Sequence, residues 1–360
     1  MEYQIYAPGR TELAGNHTDH QNGRILAAAV NRGLTARVEP NGTNKVRIQS
    51  VGFADFEIDL AHLAVNPRNF GTSKALATGV LASFKELGLS VGGFDASVTS
   101  SIGAGSGLSS SAAFTVLIGR ILNRLFNDDK VEPIVLAHIG RTAENEYFGK
   151  PCGLMDQLSC SLGTTVYVDF KTGEIQHIDA DFSRMGLTLC LTDTGGSHAG
   201  LDTSYARISD DMKLIAGMFD KELLCDVDPA EFRAKGWSEE DRHVRRAMHF
   251  FDENDRVPLM RDAIIRRDGG TYMRLMNESG RSSERLLNNI VTSASGDTKL
   301  REGLDLSAEI LDGKGAWRVH GGGFAGCVQA LMPAVFFPEY KEKMEKRFGA
   351  GSCSEISLLK

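Results

Sequence analysis

The sequence lacks the marks of several protein classes at once. Its six cysteines, Cys152, Cys160, Cys190, Cys225, Cys327 and Cys353, form no Cys-x-x-Cys pair. That spacing excludes a disulfide framework or a cysteine zinc site and reads as reduced thiols. No stretch approaches the roughly 18 consecutive apolar residues of a membrane helix. No basic block stands out and the formal net charge is −7, which argues against a nucleic-acid partner held through phosphate contacts. Met1 to Arg10 has no apolar core of the kind that marks a secretory signal. A cytoplasmic protein with no membrane partner is therefore expected. Repeats and low-complexity tracts are absent. So are the Gly-x-x-x-x-Gly-Lys-Ser/Thr loop and the Gly-x-Gly-x-x-Gly fingerprint, so neither a Walker A nucleotide site nor a dinucleotide-dependent oxidoreductase is indicated.

What is present is a chain of 360 residues, long enough for a sizeable core in two domains. Its most informative stretch is Ile102 to Phe114, Ile-Gly-Ala-Gly-Ser-Gly-Leu-Ser-Ser-Ser-Ala-Ala-Phe. The alternation of Gly93 to Ser101 predicts a strand before it, and the apolar spacing of Ala112 to Phe126 a helix after it. Glycines at 103, 105 and 107 allow a tight turn and a close backbone approach to a ligand. Ser109, Ser110 and Ser111 fall where the helix begins, where free N–H groups and the helix dipole favour an anion such as phosphate.

Two further patches are dense in polar groups or glycine. Residues 8–23 hold Arg10, Glu12, Asn16, His17, Thr18, Asp19, His20, Gln21 and Asn22, after a strand expected at Tyr3 to Ala7 and a turn expected at Pro8-Gly9-Arg10. Residues 320–327 read His-Gly-Gly-Gly-Phe-Ala-Gly-Cys, between strands expected at Ala316 to His320 and Cys327 to Met332. A fourth stretch, Gly153-Leu154-Met155-Asp156-Gln157, follows a helix expected over Pro133 to Phe148 that carries Glu144. Strands over Leu34 to Leu60, a helix over Ser73 to Leu87, and strands at Thr164 to Asp169, Glu174 to Ile178 and Leu187 to Thr192 complete the first part. Helices dominate from Leu201 to about Asn289, and a helix at Glu339 to Phe348 and a strand at Ser354 to Leu359 close the chain. Arg245, Arg246, Glu239, Glu240 and Asp241 read as solvated helix faces. Strands and helices mix without regular alternation, which makes the expected class α+β.

Together these motifs resemble the GHMP sugar and metabolite kinases, and within them the galactokinases. Gly-Arg-Thr-Glu-Leu-Ala-Gly-Asn-His-Thr-Asp-His is similar to the galactokinase signature Gly-Arg-x-Asn-Leu-Ile-Gly-Glu-His-Thr-Asp-Tyr. Gly-Ser-Gly-Leu-Ser-Ser-Ser-Ala is similar to the family's ATP loop, Gly-Gly-Gly-Phe-Ala-Gly-Cys to its third motif, and Pro-Cys-Gly-Leu-Met-Asp-Gln to the segment with the catalytic aspartate. The resemblance implies two α+β domains: residues 1–175, ribosomal S5 domain 2-like and holding the ATP loop, and residues 176–360, ferredoxin-like. It implies transfer of phosphate from ATP to a small sugar, galactose first, by a monomer or weak homo-oligomer. Asp156 is then the base and Arg10 the charge beside it, lowering its pKa and stabilising the moving phosphoryl group. Gly103, Gly105, Ser106, Gly107, Leu108, Ser109, Ser110 and Ser111 would hold ATP. Ser110 and Glu144 would ligate Mg²⁺, as suits a hard ion that keeps several waters. Asn16, His17, Asp19, Gly153, Asp156 and Tyr205 would bind the sugar. The glycine patch at 321–326 is expected to pack against the ATP loop.

The chain departs from the family pattern in places. Asn16 stands for Glu and His20 for Tyr, which leaves the substituent at C6 of the sugar open and keeps galacturonate, arabinose and N-acetylgalactosamine as alternatives. His320 replaces Thr, Ala325 a Gly, and Gly280 a common His. Little sequence precedes the first motif, as in a short form or a truncation. An inert sugar-sensing relative is a further alternative, against which the intact Ser109-Ser110-Ser111-Ala112 run speaks. His17, Asp19 and His20 also have the chemistry of zinc or iron ligands, but no further histidine stretch accompanies them.

Overall fold

The opening strand does not turn at Pro8-Gly9-Arg10. In the computed structural model, which describes residues 2–52, 54–103, 106–196, 201–291 and 296–360, β1 runs from Tyr3 to Ala14. Pro8 is accommodated because the register against β2 (Arg24–Pro40) shifts between Pro8 and Arg10, and a ladder irregularity tolerates a missing N–H. The same shift leaves the Arg10 N–H to bond Leu108 O at 3.1 Å. The strand is thereby tied to the glycine loop.

β2 is the spine of a seven-stranded sheet, pairing with β1, β5 (Phe94–Ser100) and β6 (Thr165–Asp169). β3 (Lys45–Ser50), β4 (Phe56–Asp59) and β7 (Glu174–His177) complete the order β4-β3-β5-β2-β6-β7, with β1 also on β2. Every residue from Ile25 to Val30 is fully buried. Leu26, Ala28 and Val30 face the main core, while Ile25 and Ala27 face a second cluster with Leu154, Met155 and Leu158. A strand covered on both faces reads as a continuous apolar run, and the small alanines let both layers come close.

Helices α1 (Ser73–Glu86), α2 (Ser110–Phe126), α3 (Pro133–Thr142) and α4 (Met155–Leu162) pack against this sheet. The helix expected through Phe148 is α only to Thr142; Ala143–Phe148 is a π-helical turn. A π turn widens the helix and often marks a functional site. Here it carries Glu144.

The second sheet has the order β11-β8-β10-β9, built from β8 (Leu187–Asp193), β9 (Ala316–His320), β10 (Cys327–Pro333) and β11 (Cys353–Glu355). The final strand is shorter than expected, because the chain leaves the sheet to bridge Leu358 to Val30 of β2. α5 (Asp202–Gly217), α6 (Pro229–Ala234), α7 (Arg242–Ile265) and α8 (Gly269–Ser282) precede β9, with α9 (Lys299–Leu311) just before it and α10 (Phe337–Phe348) after β10. The result is an α+β fold with two sheets. No helix among the described residues is long and apolar enough to cross a membrane.

Arg246 is not on a solvated face. It is buried and bonds Asp211 at 2.6 Å and the Arg207 carbonyl at 3.0 Å, while Glu239, Glu240 and Asp241 are exposed as expected and Arg245 is half-buried. Helical spacing had not separated the two neighbours; the position of α5 does.

One buried ion pair bolts the two sheets together. Arg318 of β9 meets Glu12 of β1 at 3.0 Å, and both side chains are 1% exposed. The remaining guanidinium donors go to Gln329 Oε1, Ser279 Oγ and the Glu12 carbonyl. Removing the arginine strands a buried carboxylate, so Arg318→Met is expected to lower the unfolding free energy by about 3–5 kcal/mol. A urea titration reads this directly, and an unchanged midpoint would show that the pair holds nothing.

Candidate active site

The bulge in β1 aims Arg10 at the first turn of α4. Its Nε and Nη2 donate to the two oxygens of Asp156 at 2.7 and 2.8 Å, and its Nη1 donates to Gly107 O at 2.7 Å. A planar fork meeting a carboxylate in this bidentate way fixes orientation as well as charge. Ser109 Oγ adds a third bond to Asp156, at 2.5 Å. Burial pushes the Asp156 carboxyl up, but Arg10 and Ser109 outweigh it and hold the group below its ordinary value. Asp156 is therefore charged at neutral pH, beside a fully ionised Arg10.

The glycine loop lies across this pair. Gly103 is exposed, Ser106 and Gly107 are half-buried, and Gly105 lies outside the described residues. Gly107 needs its glycine, with φ at +70°. Leu108 is a correction to the expected nucleotide set: its side chain is buried in the core beneath the loop, leaving only its backbone to a ligand. Ser109 is also reassigned. Its backbone is left-handed, with φ at +53°, and its side chain does not cap α2, because the hydroxyl is spent on Asp156.

The serine against Glu144 is Ser111, not Ser110. Ser111 Oγ donates to Glu144 Oε1 at 2.9 Å and Gln157 Nε2 to Oε2 at 2.7 Å, while Ser110 is exposed at the start of α2. A helix turn separates successive residues by about 100°, so one serine faces the π turn and its neighbour faces out. Glu144 is 3% exposed, and burial raises its carboxyl above the usual range. The carboxylate and the hydroxyl beside it are hard-oxygen donors of the kind Mg²⁺ takes, and Lys150 Nζ lies 3.9 Å from the same carboxylate as a competing cation.

The residues expected at the sugar divide into two groups. Asp19 sits directly against the Asp156 segment. A Cβ on Gly153 would stand 1.8 Å from Asp19 Oδ2, so the missing side chain makes room for this carboxylate. Burial, then the charge on Asp156, raise the Asp19 carboxyl to about 6. Asn16 is withdrawn from any ligand. It is 1% exposed; its amide donates to Glu12 and to Gly321 O, and its oxygen accepts from Ser283 and Asn289. His17 is engaged at both nitrogens. Burial lowers it to about 4, so it is neutral; Nε2 donates to Gly322 O at 3.0 Å and Nδ1 accepts from His20 Nε2 at 3.2 Å. Tyr205 packs edge-on against Phe324 and donates its hydroxyl to Gly323 O at 2.7 Å. It braces the glycine patch.

Glu12 was not singled out from the sequence; it is 1% exposed and lies beneath the site, paired with Arg318. The signal was in the sequence: against the family signature, the carboxylate and the amide at positions 12 and 16 have changed places. The glycine patch does approach the nucleotide loop, since a Cβ on Gly107 would stand 3.3 Å from both Cys327 Sγ and His320 Nδ1. Around the site Ser106 Oγ, Gln157 Oε1 and His320 Nδ1 are buried without a partner among the described residues. Two cavities of about 370 and 310 Å³ lie elsewhere, near α6 and α7.

Comparison with known proteins agrees with this geometry. Residues 75–164 match the family model for the GHMP kinases N terminal domain, and residues 2–40 match the galactokinase galactose-binding signature. The chain is 29% identical over 351 residues to a galactokinase of Clostridium tetani (strain Massachusetts / E88), covering 96% of this chain and 87% of that protein. It is 29% identical over 361 residues to a galactokinase of Staphylococcus carnosus (strain TM300), covering 96% and 89%. Among solved structures it is similar to Lactococcus lactis galactokinase complexed with galactose, at TM-score 0.86, 22% identity and coverage of 99% and 93%. A mevalonate kinase structure matches at TM-score 0.70 and 15% identity, over 99% of both chains.

The raised Asp19 carboxyl carries a pH signature. The folded state binds this proton more tightly than the unfolded chain does, so the group's contribution to unfolding free energy falls as pH rises from the ordinary aspartate value of 3.8 to about 6. Carboxyl ¹³C NMR should show Asp19 titrating at about 6, and Asp19→Asn should remove that part of the pH dependence of stability. A midpoint at the ordinary aspartate value contradicts the burial seen here.

Proposed function

We propose that the chain is an ATP-dependent sugar kinase of the GHMP kinases, and within them a galactokinase, making galactose 1-phosphate and ADP. The observation that carries the chemistry is the Arg10–Asp156 pair, held by Gly107 O and Ser109 at the mouth of the glycine loop. The match of residues 2–40 to a galactose-binding signature supports galactose as the acceptor.

In this reading the polyphosphate lies on the glycine loop and the start of α2, with exposed Gly103 and Ser110 nearest the ligand. The sugar lies beside Asp19 and Asp156. Phosphoryl transfer asks chiefly for in-line positioning and neutralised oxygens. Asp156 accepts a hydrogen bond from the anomeric hydroxyl and takes its proton as the new O–P bond forms and the bond to ADP breaks. A carboxylate held low by Arg10 is a weak base, so the proton moves late, after most of the phosphoryl migration. Arg10 faces the charge on the moving group and keeps Asp156 ionised. Glu144 and Ser111 would hold Mg²⁺, which supplies charge neutralisation to the phosphate oxygens. Gln157 keeps the Glu144 carboxylate oriented. Asp19, pressed into the space that Gly153 leaves, accepts from ring hydroxyls.

One observation bears on the choice of sugar. With Asn16 locked against Glu12, the C6 side of the sugar meets different groups from those of the family pattern. Galacturonate, arabinose and N-acetylgalactosamine are the alternatives. An ADP-release assay over these sugars at saturating ATP and Mg²⁺ decides between them, with galactose expected to give the highest kcat/KM. Asp156→Asn should keep the fold and lower kcat by roughly 10²–10⁴; full turnover in that variant would refute the base assignment. Turnover with no sugar at all would leave a sensor in place of an enzyme.

A further inference from the structure

His320 occupies the last position of β9, where the strand enters the glycine patch. It is 4% exposed. Its Nε2 lies 2.8 Å from Thr11 Oγ1. The protons in this corner can be assigned. Arg318 Nε donates to Gln329 Oε1 at 3.0 Å, which fixes the Gln329 amide, so Gln329 Nε2 donates to Thr11 Oγ1 at 2.9 Å and to the Glu12 carbonyl at 2.8 Å. The Thr11 hydroxyl has no other acceptor among the described residues, so it gives its own proton to His320 Nε2. The imidazole proton is then on Nδ1.

That Nδ1–H is buried and has no partner among the described residues. It points at Gly107, whose absent Cβ would stand 3.3 Å away, and it lies within the electrostatic reach of Arg10 and Asp156. A buried N–H left unmade is costly, and such groups are kept where a ligand completes them. Burial, with the charges of Arg10 and Arg318, holds the ring far below its ordinary pKa, so His320 is a neutral donor and not a second cation.

We propose that His320 is a catalytic residue which donates a hydrogen bond from Nδ1 to an oxygen of the phosphoryl group during its transfer. The proposal rests on the kinase reading above. No bond to His320 forms or breaks; it offers a fixed dipole where negative charge gathers, the arrangement that contributes most in water-excluded sites.

Two substitutions separate this role from a purely structural one. Asparagine places an amide N–H where Nδ1 stands and abandons Thr11; glutamine keeps the contact to Thr11 at the Nε2 position and abandons Nδ1. His320→Asn is expected to retain most of kcat, whereas His320→Gln loses about 10²–10³-fold with little change in the KM for sugar. The reverse order, or equal kcat in both variants, overturns the proposal. A second readout needs no variant. In wild-type protein with ¹⁵N-labelled histidine, Nδ1 of His320 should be the protonated nitrogen, and its signal should shift when ADP, aluminium fluoride, Mg²⁺ and galactose are added together. Protonation at Nε2, or no shift, overturns the proposal even if both variants fail to fold. Wild-type protein that turns over no sugar in the ADP-release assay defeats the kinase reading itself. Active wild type with an unmoved Nδ1 signal defeats only the role of His320.

Discussion

The guanidinium of Arg10 joins three pieces of chain that lie far apart in sequence. It holds both oxygens of Asp156 on α4, and through Gly107 O it holds the glycine loop. Its own backbone N–H reaches Leu108 O, so strand and loop are fastened at two points. The Asp156 charge exists because this contact outweighs the cost of burial. Ser109 abandons the capping role usual at its position to join the same carboxylate. The geometry of the site thus depends on a register shift in β1, a feature of the sheet and not of the loop that gives the motif its name.

Behind Arg10 lies a second layer of buried polarity. Glu12, Arg318, Asn16, Glu253 and His249 interlock beneath the site. Burial pushes Glu253 up, yet Arg256, His249, Arg318 and Ser279 together bring it down to about 2. Such a layer is expensive unless nearly every group is paired, and here the pairing is nearly complete. Within it the side chains of Asn16 and His17 already have partners in the protein. They orient the glycine patch through Gly321 O and Gly322 O. Asp19 and Asp156 are left as the carboxylates that face the cleft.

The exchange of carboxylate and amide between positions 12 and 16 belongs to the same layer. Arg318 reaches Glu12 from β9, so the charge is neutralised from the second sheet. The neighbouring amide then serves as a donor to Glu12 and an acceptor for Ser283. A substitution that looks like a change of sugar specificity in one dimension is, in three, part of the bolt between the two sheets.

Local pattern was enough for most elements. Alternation and helical periodicity depend only on near neighbours, so β5, α1, α2, β8, β9 and β10 were legible to within a residue or two. The resemblance to the family's motifs implied that Arg10, the glycine–serine run, Glu144 and Asp156 lie together, and the fold brings them into contact. What tertiary structure alone decided was the partner of each polar group. Whether Ser110 or Ser111 meets Glu144 depends on the rotation of α2 against a π turn. Whether Arg245 or Arg246 is buried depends on where α5 packs. That Gly153 makes room for Asp19 depends on a segment more than a hundred residues away. Sequence determines which donors and acceptors exist and how the chain curls locally. Their pairing is settled by packing, because a buried polar group must find its partner wherever the fold has put one.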